Sequence, residues 1–293
     1  MAKARALDKR RKSVRNIRKI TRTMELIATA QFKRAMDRAS ALTSYTDKIT
    51  ALARNLAKSG MEVSHPLLKQ PEETENATLL VLTANRGLCA GYNGNIFRRA
   101  SVLWDQWQES IPQPRLEVSG KRGISAFRFR GIQPDEKFTH FEDKPTYEEV
   151  DVLASAYLDA FISGRLDRLD VAYTKFHGLG SQTAVIETLL PLSGLGPSEE
   201  NEEPGGESQY EFFPSAESIL DEVVPTSFRM KLFKCFLDAA VSEQIARMMA
   251  MKAATENADS MISSLTMSYN RARQGQITGE LLEIIGGADA LES

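Results

Sequence analysis

Val14-Arg-Asn-Ile17-Arg-Lys-Ile20-Thr-Arg-Thr-Met24-Glu-Leu-Ile27 lies inside a stretch, residues 1–59, that contains neither glycine nor proline. Its apolar residues advance by alternate steps of three and four, which places them on one face of a helix. The repeat runs on through Gln31, Ala35, Leu42, Ile49 and Leu56, with Tyr45 and Leu52 in its second position. That is the pattern of a coiled-coil seam. The seam weakens at Gln31, Arg34 and Arg38, where a zipper would carry Leu or Ile, and Gly60 and Pro66 are stop signals. Residues 226–274 are likewise free of glycine and proline. There Met248, Met251, Thr255, Ala258, Ile262, Leu265, Tyr269 and Ala272 keep the same alternation with smaller and more polar residues. Gly275 and Gly279 interrupt the run without breaking the pattern of Ile277, Leu281, Leu282, Ile284 and Ile285. A helix of about 60 residues is roughly 90 Å long, more than a small domain can cover. Antiparallel pairing of the two helices buries both seams and predicts a rod that neighbours must house. Periodicity alone also allows a static scaffold.

Between the helical stretches the period changes. Thr78–Thr83 is a short apolar run before Asn85-Arg-Gly87, the signature of a buried strand. A helix is expected over Asn95–Gln108, a strand over Arg115–Ser119, a short helix over Lys121–Arg130 and a weak strand over Phe138–Phe141. Thr146 opens a helix that ends near Gly164, with Glu148 and Glu149 at its amino end. Leu169–Phe176 and Thr183–Leu190 complete the set as strands. Strands alternating with helices indicate a small α/β domain with a mostly parallel sheet and a final hairpin. Ser193–Gln209 is rich in Gly, Pro, Ser and Glu and reads as an exposed loop. Helix resumes near Ser215, with a kink or restart at Pro225.

The fold class expected is therefore α/β: a long antiparallel coiled coil of amino- and carboxy-terminal helices plus a small Rossmann-like α/β domain. Its parts are a first helix over 1–60, the α/β domain over 75–192, an acidic loop over 193–214 and a last helix over 215–290.

Charge is segregated despite a net value of -2. Residues 1–34 hold 12 Lys or Arg against Asp8 and Glu25, whereas Phe176–Phe228 has no Lys or Arg and ten carboxylates. Such segregation reports on partners rather than on fold. The basic helix lacks interleaved aromatics, so nucleic acid is not the expected partner. Cys89 and Cys235 are far apart and form no metal or redox motif, which suits a reduced intracellular compartment. No apolar run of 18 residues is present, and the start lacks the apolar core of a secretory signal.

The loop Ala84-Asn-Arg-Gly-Leu-Cys-Ala-Gly-Tyr-Asn-Gly94 follows a strand and opens a helix, where nucleotide enzymes bind phosphate. It is neither G-x-G-x-x-G nor a Walker loop, and the favoured reading is a tight turn that needs glycine dihedrals. His65, His140 and His177 are isolated, so Cys89 has no triad partner, and no Asp/Glu/His cluster resembles a metal site. No catalytic, cofactor-binding or metal-binding residue is expected. A nucleotide-binding enzyme with dimerising helices stays open as the alternative.

Several runs resemble the gamma subunit of F-type ATP synthases, the central rotor shaft. Ile17-Arg-Lys-Ile-Thr-Arg-Thr-Met-Glu-Leu-Ile-Ala28 is similar to the family's opening helix, and Asn85-Arg-Gly-Leu-Cys-Ala-Gly-Tyr-Asn93 to its loop D-R-G-L-C-G-G-L-N. Ser181-Gln-Thr183, Ala246–Asn257, Tyr269–Gln274 and Ile277–Ala290 match in the same order. Departures are Asn85 for Asp, Ala90 and Tyr92 in the loop, and Gly275 and Gly279 where Ala and Gln are frequent. The resemblance implies a non-catalytic subunit without cofactors that couples ion-driven rotation to conformational change in catalytic beta subunits. It implies partners, namely the alpha and beta subunits, the epsilon subunit and the membrane c-ring, and contact with the membrane only through the complex. By that resemblance Met24, Arg247, Arg273, Gln274, Thr278 and Glu280 meet the alpha–beta ring. Tyr210, Glu211, Phe212 and Phe213 lie near the c-ring and epsilon subunit. The implied location is the cytoplasmic face of a bacterial inner membrane, held peripherally.

Overall fold

The computed structural model describes residues 2–58, 65–71, 73–141, 144–192 and 216–292. Among the described residues two long helices bracket five strands and three shorter α-helices. In chain order these are α1 (Ala2–Lys58), β1 (Asn76–Leu82), α2 (Tyr92–Ser110), β2 (Gln113–Ser119), α3 (Lys121–Phe129), β3 (Glu136–Phe138), α4 (Tyr147–Ile162), β4 (Arg168–Gly178), β5 (Ser181–Leu190) and α5 (Ala216–Glu292). The 193–215 segment lies outside the described residues. Two compact units divide the chain: Met1–Thr29 with Arg247–Ser293, and Ala30–Ala246.

In the Ala30–Ala246 unit the sheet order is β3-β2-β1-β4-β5. β1 pairs in parallel with both β2 and β4, β2 pairs in parallel with β3, and β4–β5 is the expected antiparallel hairpin. Successive strand residues serve opposite faces. Leu80, Leu82, Val171 and Tyr173 join Val150, Ala154 and Leu158 of α4 and Val224, Phe228 and Leu232 of α5 in one core. Leu79, Val81 and Ala172 join Ile96, Trp104 and Phe127 of α2 and α3 in the other. Thr146 caps α4 in a reciprocal box with Glu149, so that helix starts where the sequence places it.

Pro225 does not restart the last helix. α5 is continuous from Ala216 to Glu292 with Pro225 in its interior. The proline deprives the Asp221 carbonyl of its i+4 donor. Val224 and Phe228, both fully buried on either side, hold the turn in place through packing, so tertiary burial outweighs the local penalty.

A polar cluster lies where α5 crosses the β4–β5 hairpin. Glu187 accepts hydrogen bonds from Tyr173 Oη at 2.7 Å and Lys175 Nζ at 2.5 Å. Burial alone would raise the Glu187 carboxyl, but these two donors outweigh it and hold it below its ordinary value. Burial pushes the nearby Tyr173 and Cys235 groups up. Asp238, also buried, accepts the Phe176 backbone N–H yet is pushed up to about 6 by loss of solvent. On the opposite side of the sheet order, burial raises Glu117, whose Oε2 accepts the Tyr157 hydroxyl at 2.5 Å.

Candidate partner-contact surface

Within the Met1–Thr29 and Arg247–Ser293 unit, α1 and α5 pack on each other through a narrow line of small side chains. On α1 the buried residues are Val14, Thr21 and Ala28, at steps of seven. On α5 they include Met251, Thr255 and Ala258, flanked by half-buried Ile262, Leu265, Tyr269 and Ala272. The α5 seam is the one read from the sequence. The α1 seam is displaced by one residue, because Thr21 and Ala28 face the partner helix where Ile20 and Ile27 were expected. Ile17, Ile20 and Ile27 are instead 53%, 59% and 52% exposed. Small residues on both helices allow a close approach that isoleucine would prevent.

Polar contacts join the helices along this line. Thr255 Oγ1 lies 2.9 Å from Thr21 Oγ1. Arg18 Nε reaches Asp259 Oδ1 at 2.5 Å, and the Arg11 guanidinium stacks over the Tyr269 ring at 4.7 Å. The Arg18–Asp259 pair is half exposed and worth at most about 1 kcal/mol.

The correction to the seam leaves an outward surface with two characters. Ile17, Ile20, Met24 and Ile27 share one helical face of α1, at spacings that bring side chains together. Near the carboxy end of α5, Ile277, Leu281, Leu282, Ile284 and Ile285 are exposed. Between the amino-terminal turns of α1 and the Tyr269–Ile277 part of α5 lies a cationic cleft of about 630 Å³, lined by Arg5, Lys9, Lys12 and Arg273 with Asp8. Hydrogen bonds from Lys12 and Arg11 hold the Asp8 carboxyl below its ordinary value, so it stays charged and leaves the cleft net positive.

The residues expected to meet a ring fall into three environments. Met24 is half-buried and Arg247 is buried, whereas Arg273, Gln274, Thr278 and Glu280 are exposed. Glu280 Oε1 accepts a hydrogen bond from Gln276 Nε2 at 2.8 Å. Tyr210, Glu211, Phe212 and Phe213 lie outside the described residues. Sequence reasoning assigned Ile17, Ile20 and Ile27 to the inner seam and so missed them as surface. Their size was the available signal, since the partner helix places small Thr255 and Ala258 in its buried seam beside Met251.

The loop after β1 opens α2, where Tyr92 N donates to the Cys89 carbonyl at 3.1 Å and Ala84 N to Asn93 Oδ1 at 2.9 Å. The amino-terminal N–H groups of α3 are taken: Lys121 N donates to Asn85 Oδ1, Arg122 N to the Ala84 carbonyl and Gly123 N to Thr83 Oγ1. The Arg122 guanidinium packs against Gly87, and a Cβ there would sit 2.9 Å from Nη2. The crevice at the carboxyl ends of β1 and β2 is reduced to about 30 Å³ by Phe236, Ala239, Ala240 and Glu243 of α5. Tyr92 closes it further by donating its hydroxyl to the Ala239 carbonyl. Glycine dihedrals are not what this turn uses. Leu88 and Ala90 take the positive φ values, 65° and 47°, and Gly91 has φ of -81°. Among the described residues no group of three or more His, Cys, Asp or Glu is placed to hold a metal. Among the described residues no helix is long and apolar enough to cross a membrane.

A family model for ATP synthase matches residues 3–291. The chain is 59% identical to the ATP synthase gamma chain of Rhodopirellula baltica over 295 residues, covering all of both chains. It is 36% identical to the ATP synthase gamma chain of Mycolicibacterium smegmatis over 304 residues, covering 99% of this chain and 98% of that one. Among solved structures it resembles a chain of the Euglena gracilis mitochondrial ATP synthase OSCP/F1/c-ring assembly, with a TM-score of 0.64 and 18% identity over 99% of this chain and 95% of that chain. A chain of the Tetrahymena thermophila mitochondrial ATP synthase central stalk and c-ring gives a TM-score of 0.55 at 17% identity, over 80% of this chain and 99% of that one. At such identities the likeness to solved structures carries the fold alone.

Proposed function

The chain belongs to the ATP synthase gamma chain family, and from that premise we propose how it works as the central-stalk rotor, a non-catalytic subunit of the complex. The α1–α5 pair is the turning element, housed by a ring of alternating alpha and beta subunits. Ion flow turns a membrane c-ring and this chain with it. The asymmetric pair presents a different face to each beta subunit in turn, and each face favours a different nucleotide-site conformation. Rotor angle and site affinity are then linked states, each biasing the other.

The observation that carries the reading is the outward apolar stripe of Ile17, Ile20 and Ile27 on a helix whose inner seam is Val14, Thr21 and Ala28. Contiguous apolar surface of this kind marks a site that another protein covers. Met24 lies in the stripe and Arg273 in the cationic cleft, so these two ring contacts have different chemistry. Gln274, Thr278 and Glu280 extend the contact on exposed α5 surface, and Arg247 supports it from a buried position. Partners beyond the ring are the epsilon subunit and the c-ring, and the setting is the cytoplasmic face of a bacterial inner membrane, reached through the complex.

The test is assembly with alpha and beta subunits followed by ATPase measurement with and without this chain. Turnover that depends on the chain is the expected result, and a ring indifferent to it ends the proposal. Replacing Arg273 and Gln274 together by Ala should lower ATP-driven proton uptake severalfold while leaving the helix content of the chain unchanged. Undiminished uptake would remove those two residues from the contact.

A further inference from the structure

Most side chains along which α1 meets α5 are apolar, from Val14 and Ala28 to Met251 and Ala258, and apolar burial is non-directional. Such burial by itself favours no single alignment of the two helices. Coiled coils meet this problem with a polar pair at one seam position, which has a partner in only one alignment. Here the buried polar pair is Thr21 with Thr255, each more than nine-tenths buried.

The two hydroxyls hold two protons between three acceptor positions. Thr255 Oγ1 lies 2.9 Å from Thr21 Oγ1 and 2.8 Å from the Met251 carbonyl, and Thr21 Oγ1 lies 3.1 Å from the Arg18 carbonyl. If both protons returned to their own helices, two oxygen lone pairs would face each other at 2.9 Å. One proton therefore bridges the helices while the other returns to a backbone carbonyl of its own helix. Arg18–Asp259 and Arg11–Tyr269 flank the pair on the more exposed side and favour the same alignment.

We propose that the Thr21–Thr255 hydroxyl pair is the alignment key of the helix pair, and that turning force passes from one helix to the other through the geometry it fixes. The inference rests on the rotor reading, and its test separates the two. Spin labels at Ser13→Cys and Ser264→Cys, both exposed, report the spacing of α1 and α5 in the full chain, where Cys89 and Cys235 are buried. Proton uptake per ATP hydrolysed is read in the assembled complex. The pair Thr21→Ser with Thr255→Ser keeps both hydroxyls and should match the wild type in both measurements. The pair Thr21→Val with Thr255→Val keeps the shape and loses the bridge. Its distance distribution should broaden about twofold and its proton uptake per ATP fall at least about twofold. Should the valine pair fail to assemble, Thr21→Ala with Thr255→Ala gives the same reading with residues already present in this seam. A narrow distribution in the hydroxyl-free chain, or undiminished uptake despite a broad one, overturns the proposal. A wild-type chain that supports no proton uptake overturns the rotor reading instead, and the distance measurement still decides the key.

Discussion

Ala90 occupies a backbone position that L-residues avoid, with φ of 47°. Its Cβ is held close to a carbonyl oxygen, at a cost of about 1–2 kcal/mol, part of which glycine would return as greater freedom in the unfolded chain. Ala90→Gly should therefore stabilise the protein by roughly 0.5–1 kcal/mol, read as a higher urea midpoint with an unchanged slope. A lower midpoint would mean that the alanine methyl packs better than its dihedral costs. Asn85 makes a different argument in the same loop. Its Nδ2 donates to the Phe141 carbonyl at 2.9 Å while its Oδ1 accepts from Lys121 N at 3.1 Å. An aspartate could do only the second, so the amide uses both of its faces here.

At the scale of elements, α5 carries the polar cluster whose charge state depends on pH. Asp238 rises from an ordinary 3.8 to about 6, chiefly through burial, with Lys234, Lys175 and the Phe176 N–H pulling the other way. A carboxyl raised in the folded state binds its proton more tightly there than in the unfolded chain. Its contribution is fully present below about pH 4 and is lost as pH rises through about 6. Asp238→Asn should therefore gain on the wild type by up to about 3 kcal/mol between pH 4 and pH 7. Paired urea titrations at the two pH values check this, and parallel curves for the two proteins would rule it out. Strands and short helices were legible in the sequence because their signals are local: alternation, a capping Thr146, the turn at Gly87. The α5 seam was legible for the same reason. The α1 seam was not, because steps of three and four fit two neighbouring faces, and Val14 belongs to both. Choosing the face with Ile20 and Ile27 follows the rule that large apolar residues go inside. The partner helix decides otherwise, since it buries Thr21 against its Thr255 and leaves Ile20 and Ile27 exposed. A restart at Pro225 and glycine dihedrals in the loop after β1 were not found, because tertiary packing kept α5 continuous and placed the positive φ values at Leu88 and Ala90.

For the whole molecule, charge and apolar surface divide the work of association. Residues 1–34 carry 12 cationic side chains, which speed encounter with an acidic surface and weaken with salt. Affinity once bound depends more on apolar area removed from water, and on α1 that area is the stripe of Ile17, Ile20 and Ile27. Replacing Ile20 and Ile27 by Gln tests this division. Both side chains are more than half exposed in the chain itself, so the lone protein should change by no more than about 0.5 kcal/mol at each site, within the range of ordinary surface substitutions. Covering them with a ring removes the remaining half of each side chain from water, about 1–1.5 kcal/mol apiece. The double variant should then bind an alpha–beta ring roughly 30- to 150-fold more weakly, taking 1.4 kcal/mol per tenfold. Titrating labelled chain into ring at two salt concentrations separates the contributions. Loss of affinity should persist at high salt, where the cationic contribution is screened, because the stripe acts by burial. A variant that binds as tightly as the wild type would show that the stripe faces solvent in the assembly, and the rotor would then have to grip its ring through the cationic cleft and the exposed surface of α5.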